Sequence, residues 1–269
     1  MLTRLPQLNR PGLFVTATDT GVGKTVVTCA IAAALRRQGL RVGASKPMSS
    51  GCRHEREGLV NEDAEALAYF SDASQSLDII NPLRYRAPLS PAVAQERGEE
   101  GGELIAITRS LELLDRTSDI LLVEGVGGLL APLLADDPQA TVLDLIVDVG
   151  YPVVVVTRPL LGTLSHTAMT VRLLREAGCS VAGLVINSYE PDPTAFVRAT
   201  PEESSQVALW MDTNPGWLSK MNRLPVLATV PRCACGEVQP HLGRLPAAVL
   251  EPVAMVDWTT LARPQRRPR

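Results

Sequence analysis

Eight residues, Thr18-Asp19-Thr20-Gly21-Val22-Gly23-Lys24-Thr25, follow the apolar burst Leu13-Phe14-Val15 and open a helical pattern that runs over 24–38. Strand, glycine turn and helix in that order commit the chain to an α/β arrangement, with the turn beyond the carboxyl end of a strand. Gly21 and Gly23 let bare backbone amides approach an anion closely, and the helix start adds the positive end of its dipole. Lys24 then reaches β- and γ-phosphates, and Thr25 offers a hydroxyl to Mg²⁺. Thr20, Gly21, Val22, Gly23, Lys24, Thr25 and Val26 are therefore the expected nucleotide contacts. The strict phosphate-loop pattern has glycine where Thr18 stands. The competing reading is a plain glycine turn with a lysine near a helix start; the full order of strand, turn, lysine, hydroxyl and helix favours the phosphate loop.

Downstream, apolar bursts alternate with amphipathic stretches. Strands are expected at 13–17, 42–45, 120–124, 153–157, 181–187 and, shorter, 225–231; helices at 24–38, 63–70, 103–115, 142–147 and 165–177. Near-continuous runs such as Val153-Val154-Val155-Val156 suit a parallel sheet covered on both faces. The expected fold is α/β, a doubly wound, mostly parallel sheet of the P-loop NTPase type, with 1–269 as a single domain. Residues 1–11 and 263–269 read as mobile termini, the 50–103 segment as including a flexible loop, and the pattern weakens over 191–222.

Composition narrows the function classes. A length of 269 residues with 45% apolar and 20% charged residues fits an ordinary globular core, and a net charge of −3 gives no footprint for nucleic acid. No run of eighteen apolar residues occurs and no secretory signal pattern opens the chain, so no membrane association and a cytoplasmic location are expected. Cysteines at 29, 52, 179, 233 and 235 are odd in number and scattered, as for reduced thiols. Cys233-Ala234-Cys235 lacks the partners of a four-ligand metal site.

In a parallel sheet, chemistry gathers just after the strands. Lys46 follows the second strand in Lys46-Pro47-Met48-Ser49-Ser50-Gly51, either as a second cation suited to phosphoryl transfer or as a surface lysine in a turn. Glu124 closes Asp119-Ile120-Leu121-Leu122-Val123 in the manner of a Walker B acid. Asp63 is either a second carboxylate for the metal or a helix-start charge interacting with the dipole. Thr25, Asp63 and Glu124 together form the candidate Mg²⁺ set.

With those residues assembled, the chain resembles the dethiobiotin synthetase family. The likeness rests on the 18–25 loop, Lys46-Pro47 with Ser50-Gly51, Asp63-Ala64, Glu124-Gly125-Val126-Gly127-Gly128, Gly162-Thr163-Leu164-Ser165-His166 and Ala182-Gly183-Leu184-Val185-Ile186-Asn187. It implies ATP-dependent ring closure of 7,8-diaminopelargonic acid with CO₂, through a carbamate and its phosphorylated anhydride, to dethiobiotin, ADP and phosphate. It implies Lys46 and Lys24 as the catalytic cations and Ser50 as a substrate contact. It places nucleotide contacts at Gly125, Val126, Gly127, Asn187, Ser188, Pro231, Arg232 and Cys233, Asn187 reading the adenine edge and 231–233 lining the base. Amides at Gly162, Thr163, Leu164 and Ser165 would receive the substrate carboxylate. In the family this contact comes from the other subunit, so a homodimer is expected.

The chain departs from the family at Ala17, Ala92 and Ser165, and nothing from about 236 onward matches. Two other readings stay open. A nucleotide-dependent switch or partition-type ATPase shares the loop but carries a lysine where this chain has Asp19; an amidating ligase of the cobyrinic acid diamide synthase kind adds a glutaminase domain.

Overall fold

The computed structural model describes residues 5, 7–56, 58–187, 201–231, 233 and 236–263. The first half runs β1 (Gly12–Ala17), α1 (Lys24–Arg37), β2 (Val42–Ser45), β3 (Met48–Ser49), β4 (Arg53–Glu55), β5 (Gly58–Val60), α2 (Glu62–Ser71), α3 (Leu77–Ile80), β6 (Leu83–Arg84), α4 (Pro91–Glu96), α5 (Ile105–Thr117) and β7 (Ile120–Glu124). The second runs α6 (Val142–Val149), β8 (Val153–Thr157), α7 (Thr163–Glu176), β9 (Val181–Asn187), α8 (Pro201–Asn222), β10 (Val226–Val230), a 3₁₀ turn at Pro240–Leu242, α9 (Ala247–Ala254) and α10 (Trp258–Leu261).

Six strands form one parallel sheet in the order β10-β9-β8-β1-β7-β2. Side chains alternate across it. Leu13, Val15 and Ala17 of β1 face the layer of α1, α2, α9 and α10, whereas Phe14 faces α5, α6, α7 and α8. Burial on both faces explains why β8 is four valines and a threonine, all fully buried. The fold is an α/β P-loop architecture, as the sequence pattern implies.

Register decides what meets at the sheet edge. Ser45 of β2 lies opposite Val123 of β7, which sets the next residues, Lys46 and Glu124, at the same level. Both continue the α1-facing parity, after Val42 and Ala44 on one strand and Ile120 and Leu122 on the other. The ammonium and the carboxylate therefore emerge side by side beneath the phosphate loop.

Three stretches differ from expectation. Helix α8 fills 201–222, where Pro215 and a weak apolar period hide it from a periodicity reading. The segment beyond 236, which matches no expected element, folds as the 3₁₀ turn, α9 and α10, with Val249, Val253 and Trp258 buried in the α1 layer. Residues 9–10, expected among the mobile N-terminus, are tied to the Asp115 carboxylate by the amides of Asn9 (2.9 Å) and Arg10 (2.8 Å).

Candidate active site

The loop before α1 adopts the geometry its glycines permit: Gly21 and Gly23 sit at φ +69° and +87°, a region costly for any residue with a Cβ. Its carbonyls are held from outside. Asn187 Nδ2 donates to Val22 O at 2.8 Å, and Arg158 Nη2 donates to Gly21 O. With the carbonyls engaged there, the loop amides are left for an anion. Lys24 Nζ reaches Gly127 O at 2.7 Å and Asp19 O at 3.4 Å, which joins the loop to the glycine turn after β7.

Below the loop lies a continuous polar network. Thr25 Oγ1 donates to Glu124 Oε1 at 2.8 Å; the same oxygen accepts from Lys46 Nζ at 2.5 Å, and Lys46 Nζ also meets Asp63 Oδ2 at 2.8 Å. Glu124 is 0% and Lys46 3% exposed, while the Asp63 side chain keeps 41%. Glu124 Oε2 is buried without a hydrogen-bond partner. An anionic oxygen so placed calls for a cation or a donor that arrives with a ligand.

Charge is balanced by contact. Burial disfavours the Lys46 ammonium, yet the Asp63 and Glu124 carboxylates outweigh it and hold its pKa above the ordinary lysine value. Burial likewise pushes the Asp63 carboxyl up, but the Lys46 ammonium prevails and keeps it below the usual range. Lys24 goes the other way: burial first, then the nearby Lys46 ammonium, lowers it to about 8.

Local structure fixes each of these groups. Asn61 caps α2 by accepting from Asp63 N at 3.0 Å, which sets Asp63 in the first turn, and its Nδ2 donates to Ser50 O at 3.2 Å. The fully buried Asn81 donates to Lys46 O at 2.6 Å and accepts from Ser49 Oγ at 2.6 Å. Neither asparagine stood out in the sequence. An Asn before an acidic helix start is a legible cap at Asn61, whereas the reach of Asn81 to a segment 35 residues away leaves no local signal.

A cleft of about 560 Å³ opens over this network. Its walls include Thr20, Gly21, Gly23, Lys24, Thr25, Val26, Lys46, Ser50, Asp63, Val126 and Gly127 from the sequence-derived set. Pro88, Leu89, Ser90 and Pro91, and also Val238, Pro240 and His241, join them unforeseen. Glu124 lies beneath the floor and reaches the cleft through Thr25 and Lys46. Val22, Gly125 and Asn187 do not line this cleft, and Asn187 holds the Val22 carbonyl.

Gly162, Thr163, Leu164 and Ser165 do not line this cleft. They begin α7, with Gly162 at φ +92° and the Thr163 hydroxyl 2.7 Å from that of Thr157. Gly162 and Ser165 are exposed. Pro231 is exposed and Cys233 half-buried beyond β10, while Ser188 and Arg232 lie outside the described residues.

A family model described as an AAA domain (AAA_26) matches residues 11–235. The ATP-dependent dethiobiotin synthetase BioD of Thermodesulfovibrio yellowstonii is 38% identical over 226 residues, covering 82% of this chain and 89% of the relative. The protein of the same name from Anaeromyxobacter sp. (strain K) is 40% identical over 196 residues, 73% and 85% of the two chains. Among solved structures, the MinC:MinD cell division protein complex of Aquifex aeolicus superposes with a TM-score of 0.53 over 96% of this chain and 99% of the other. At 12% identity that likeness speaks for the fold alone. With the phosphate loop, the paired strand-end charges and relatives of this identity over most of its length, the chain belongs to the ATP-dependent dethiobiotin synthetase family and is an enzyme of the ligase class.

Proposed function

We propose that this chain catalyses ATP-dependent closure of a cyclic urea on 7,8-diaminopelargonic acid with CO₂, giving dethiobiotin, ADP and phosphate. The observation that carries the reading is the buried network of Thr25, Glu124, Lys46 and Asp63 under a phosphate loop, in a chain whose relatives are named for that reaction.

The chemistry needs two anions to meet. One amine takes up CO₂ as a carbamate; a carbamate oxygen attacks the γ-phosphorus and ADP departs. The second amine then attacks the carbonyl carbon, loses a proton, and phosphate leaves with one former carbamate oxygen. A carbamate is a weak nucleophile and is repelled by triphosphate, so fixed positive charge in a partly dry cleft is what lowers this barrier. Lys24 and Lys46 supply that charge, Lys24 toward the nucleotide and Lys46 toward the carbamate. Ser50 is the polar group offered to the diamine. Nucleotide contacts are Thr20 to Val26 with Asp63, Glu124, Gly125, Val126 and Gly127, while Asn187, Ser188 and 231–233 serve the base.

The donor set suits Mg²⁺. Hard oxygens from Thr25, Asp63 and Glu124 cluster, Glu124 Oε2 lacks a partner, and among the described residues no group of three His, Cys, Asp or Glu could hold a metal by itself. An ion that takes few protein ligands and completes its shell with phosphate and water fits those residues. Bound by Thr25, Asp63 and Glu124, it would neutralise charge developing on the transferred phosphoryl group.

The reading extends to a single α/β unit over 1–269, a cytoplasmic location and a homodimer. The start of α7 lies apart from the cleft, so the amides at 162–165 serve the site of a partner subunit if they receive the substrate carboxylate. Isotope transfer tests the mechanism. With ¹⁸O-labelled bicarbonate, the released phosphate carries one labelled oxygen per dethiobiotin formed; label-free phosphate rules out the carbamic-phosphoric anhydride.

A further inference from the structure

The two edges of the sheet are β10 and β2, and α1 crosses the face between them. On that face α9 packs on β10 and α1, whereas α2 packs on β2 and α1. The chain leaves β10 at Val230, and the 3₁₀ turn Pro240–Leu242 packs on α2 and α1 before the chain returns to α9. To do so, 236–246 must cross over α1. It crosses at the start of that helix, since Val238, Pro240 and His241 share the cleft with Gly23, Lys24, Thr25 and Val26.

This strap is a built feature. Gln239 and Arg244 close its base by paired backbone bonds of 2.9 and 3.0 Å. Gly243, at φ +70°, lies so close to Tyr69 of α2 that an added Cβ would stand 2.3 Å from the ring. His241 Nδ1 sits 3.8 Å from Glu62 Oε2, next to Asp63 at the start of α2, and the residue lines the cleft. None of it falls within the family-model match, which ends at 235.

We propose that residues 238–241 are the outer wall of the nucleotide half of the cleft and that His241, which lies beside Glu62, is a specificity-determining residue that bonds an oxygen of the bound nucleoside phosphate. The proposal rests on the reading that ATP occupies the phosphate loop. Geometry favours the nucleotide over the diamine: the strap packs on the loop's own helix and on α2, and it shares the cleft with Gly23, Lys24, Thr25 and Val26 of the loop and with Glu62, Asp63 and Ala66 of α2. A neutral imidazole donates to or accepts from a ribose hydroxyl, and a protonated one donates to phosphate.

The test is direct calorimetric binding of Mg·ADP to the full chain, with dethiobiotin formation recorded separately. His241→Ala should weaken ADP binding roughly three- to tenfold, the loss of one hydrogen bond, and His241→Gln should restore part of it. Gly243→Val, which drives a side chain into Tyr69, should weaken ADP at least as much; Tyr69→Ala serves if Gly243→Val lowers the melting temperature strongly. The KM for the diamine at saturating ATP should stay unchanged. Wild-type ADP affinity in the histidine variant overturns the assignment, as does a rise confined to the diamine KM. A wild-type protein that binds ADP with this dependence yet makes no dethiobiotin sinks the reaction reading and leaves the wall standing.

Discussion

Replacing Lys46 by methionine separates a structural charge from a catalytic one. Lys46 is 3% exposed and bonds Glu124, which is fully buried, at 2.5 Å. Methionine keeps the volume but leaves the Glu124 carboxylate inside the fold with only the Thr25 hydroxyl. An uncompensated buried charge costs about 3–5 kcal/mol. At roughly 2–4 °C per kcal/mol for a chain of this size, the melting temperature should fall on the order of 6–20 °C. Asp63, with 41% of its side chain exposed, is the control. Asp63→Ala also removes a partner of Lys46, yet Lys46 keeps Glu124 and no carboxylate is left buried and unpaired, so the loss of stability should be smaller than for Lys46→Met. The decisive variant is Lys46→Met with Glu124→Gln, which removes both charges and should recover most of the lost stability while ring closure stays absent. Urea unfolding of the wild type, Lys46→Met, Glu124→Gln and the double variant gives the coupling energy. A Lys46→Met protein as stable as Asp63→Ala, or a double variant no more stable than Lys46→Met alone, would refute the reasoning.

Three further outcomes follow from the cleft. Lys24, lowered to about 8 by burial and by Lys46, is charged in the free protein below that pH and neutral above it; phosphate favours the charged form, so ATP affinity should fall as pH rises through 8. Calorimetry one pH unit above that value, in buffers of different ionisation heat, should show proton uptake on ATP binding, and a buffer-independent heat contradicts it. Asn81→Ala strips a donor from Lys46 O and an acceptor from Ser49 Oγ, so urea unfolding should register a loss of about 1–3 kcal/mol for each group left unpaired, and dethiobiotin formation should fall with it. Sedimentation should give a homodimer at assay concentrations, and a monomer with full activity would exclude a site completed by the partner.

What the sequence disclosed, and what it hid, follows from range. Burst, turn and periodicity are local, so the sheet strands from Leu13 through Ile186 and the loop at 18–25 are readable from a few residues. Lys46 and Glu124 are legible as strand-end charges, but that they touch depends on the β2–β7 register, which no local pattern specifies. Asn81 and Arg158 act on backbone carbonyls 35 and 137 residues away, and such contacts leave no trace in spacing. The strap at 236–246 is polar and glycine-punctuated like any loop, and only its docking on Tyr69 and Glu62 gives it a place at the cleft. Helix α8 escapes notice because Pro215 interrupts a pattern that was already faint.

The central claim is that fixed positive charge under the phosphate loop lets an anionic carbamate meet ATP. Its most direct measurement is ATP turnover by purified protein with Mg²⁺ and bicarbonate, titrated with 7,8-diaminopelargonic acid, while dethiobiotin is quantified by mass spectrometry. The account predicts phosphate release that is negligible without the diamine, saturates with it, and matches dethiobiotin one for one. ATP hydrolysis that proceeds at the same rate whether or not the diamine is present would contradict it.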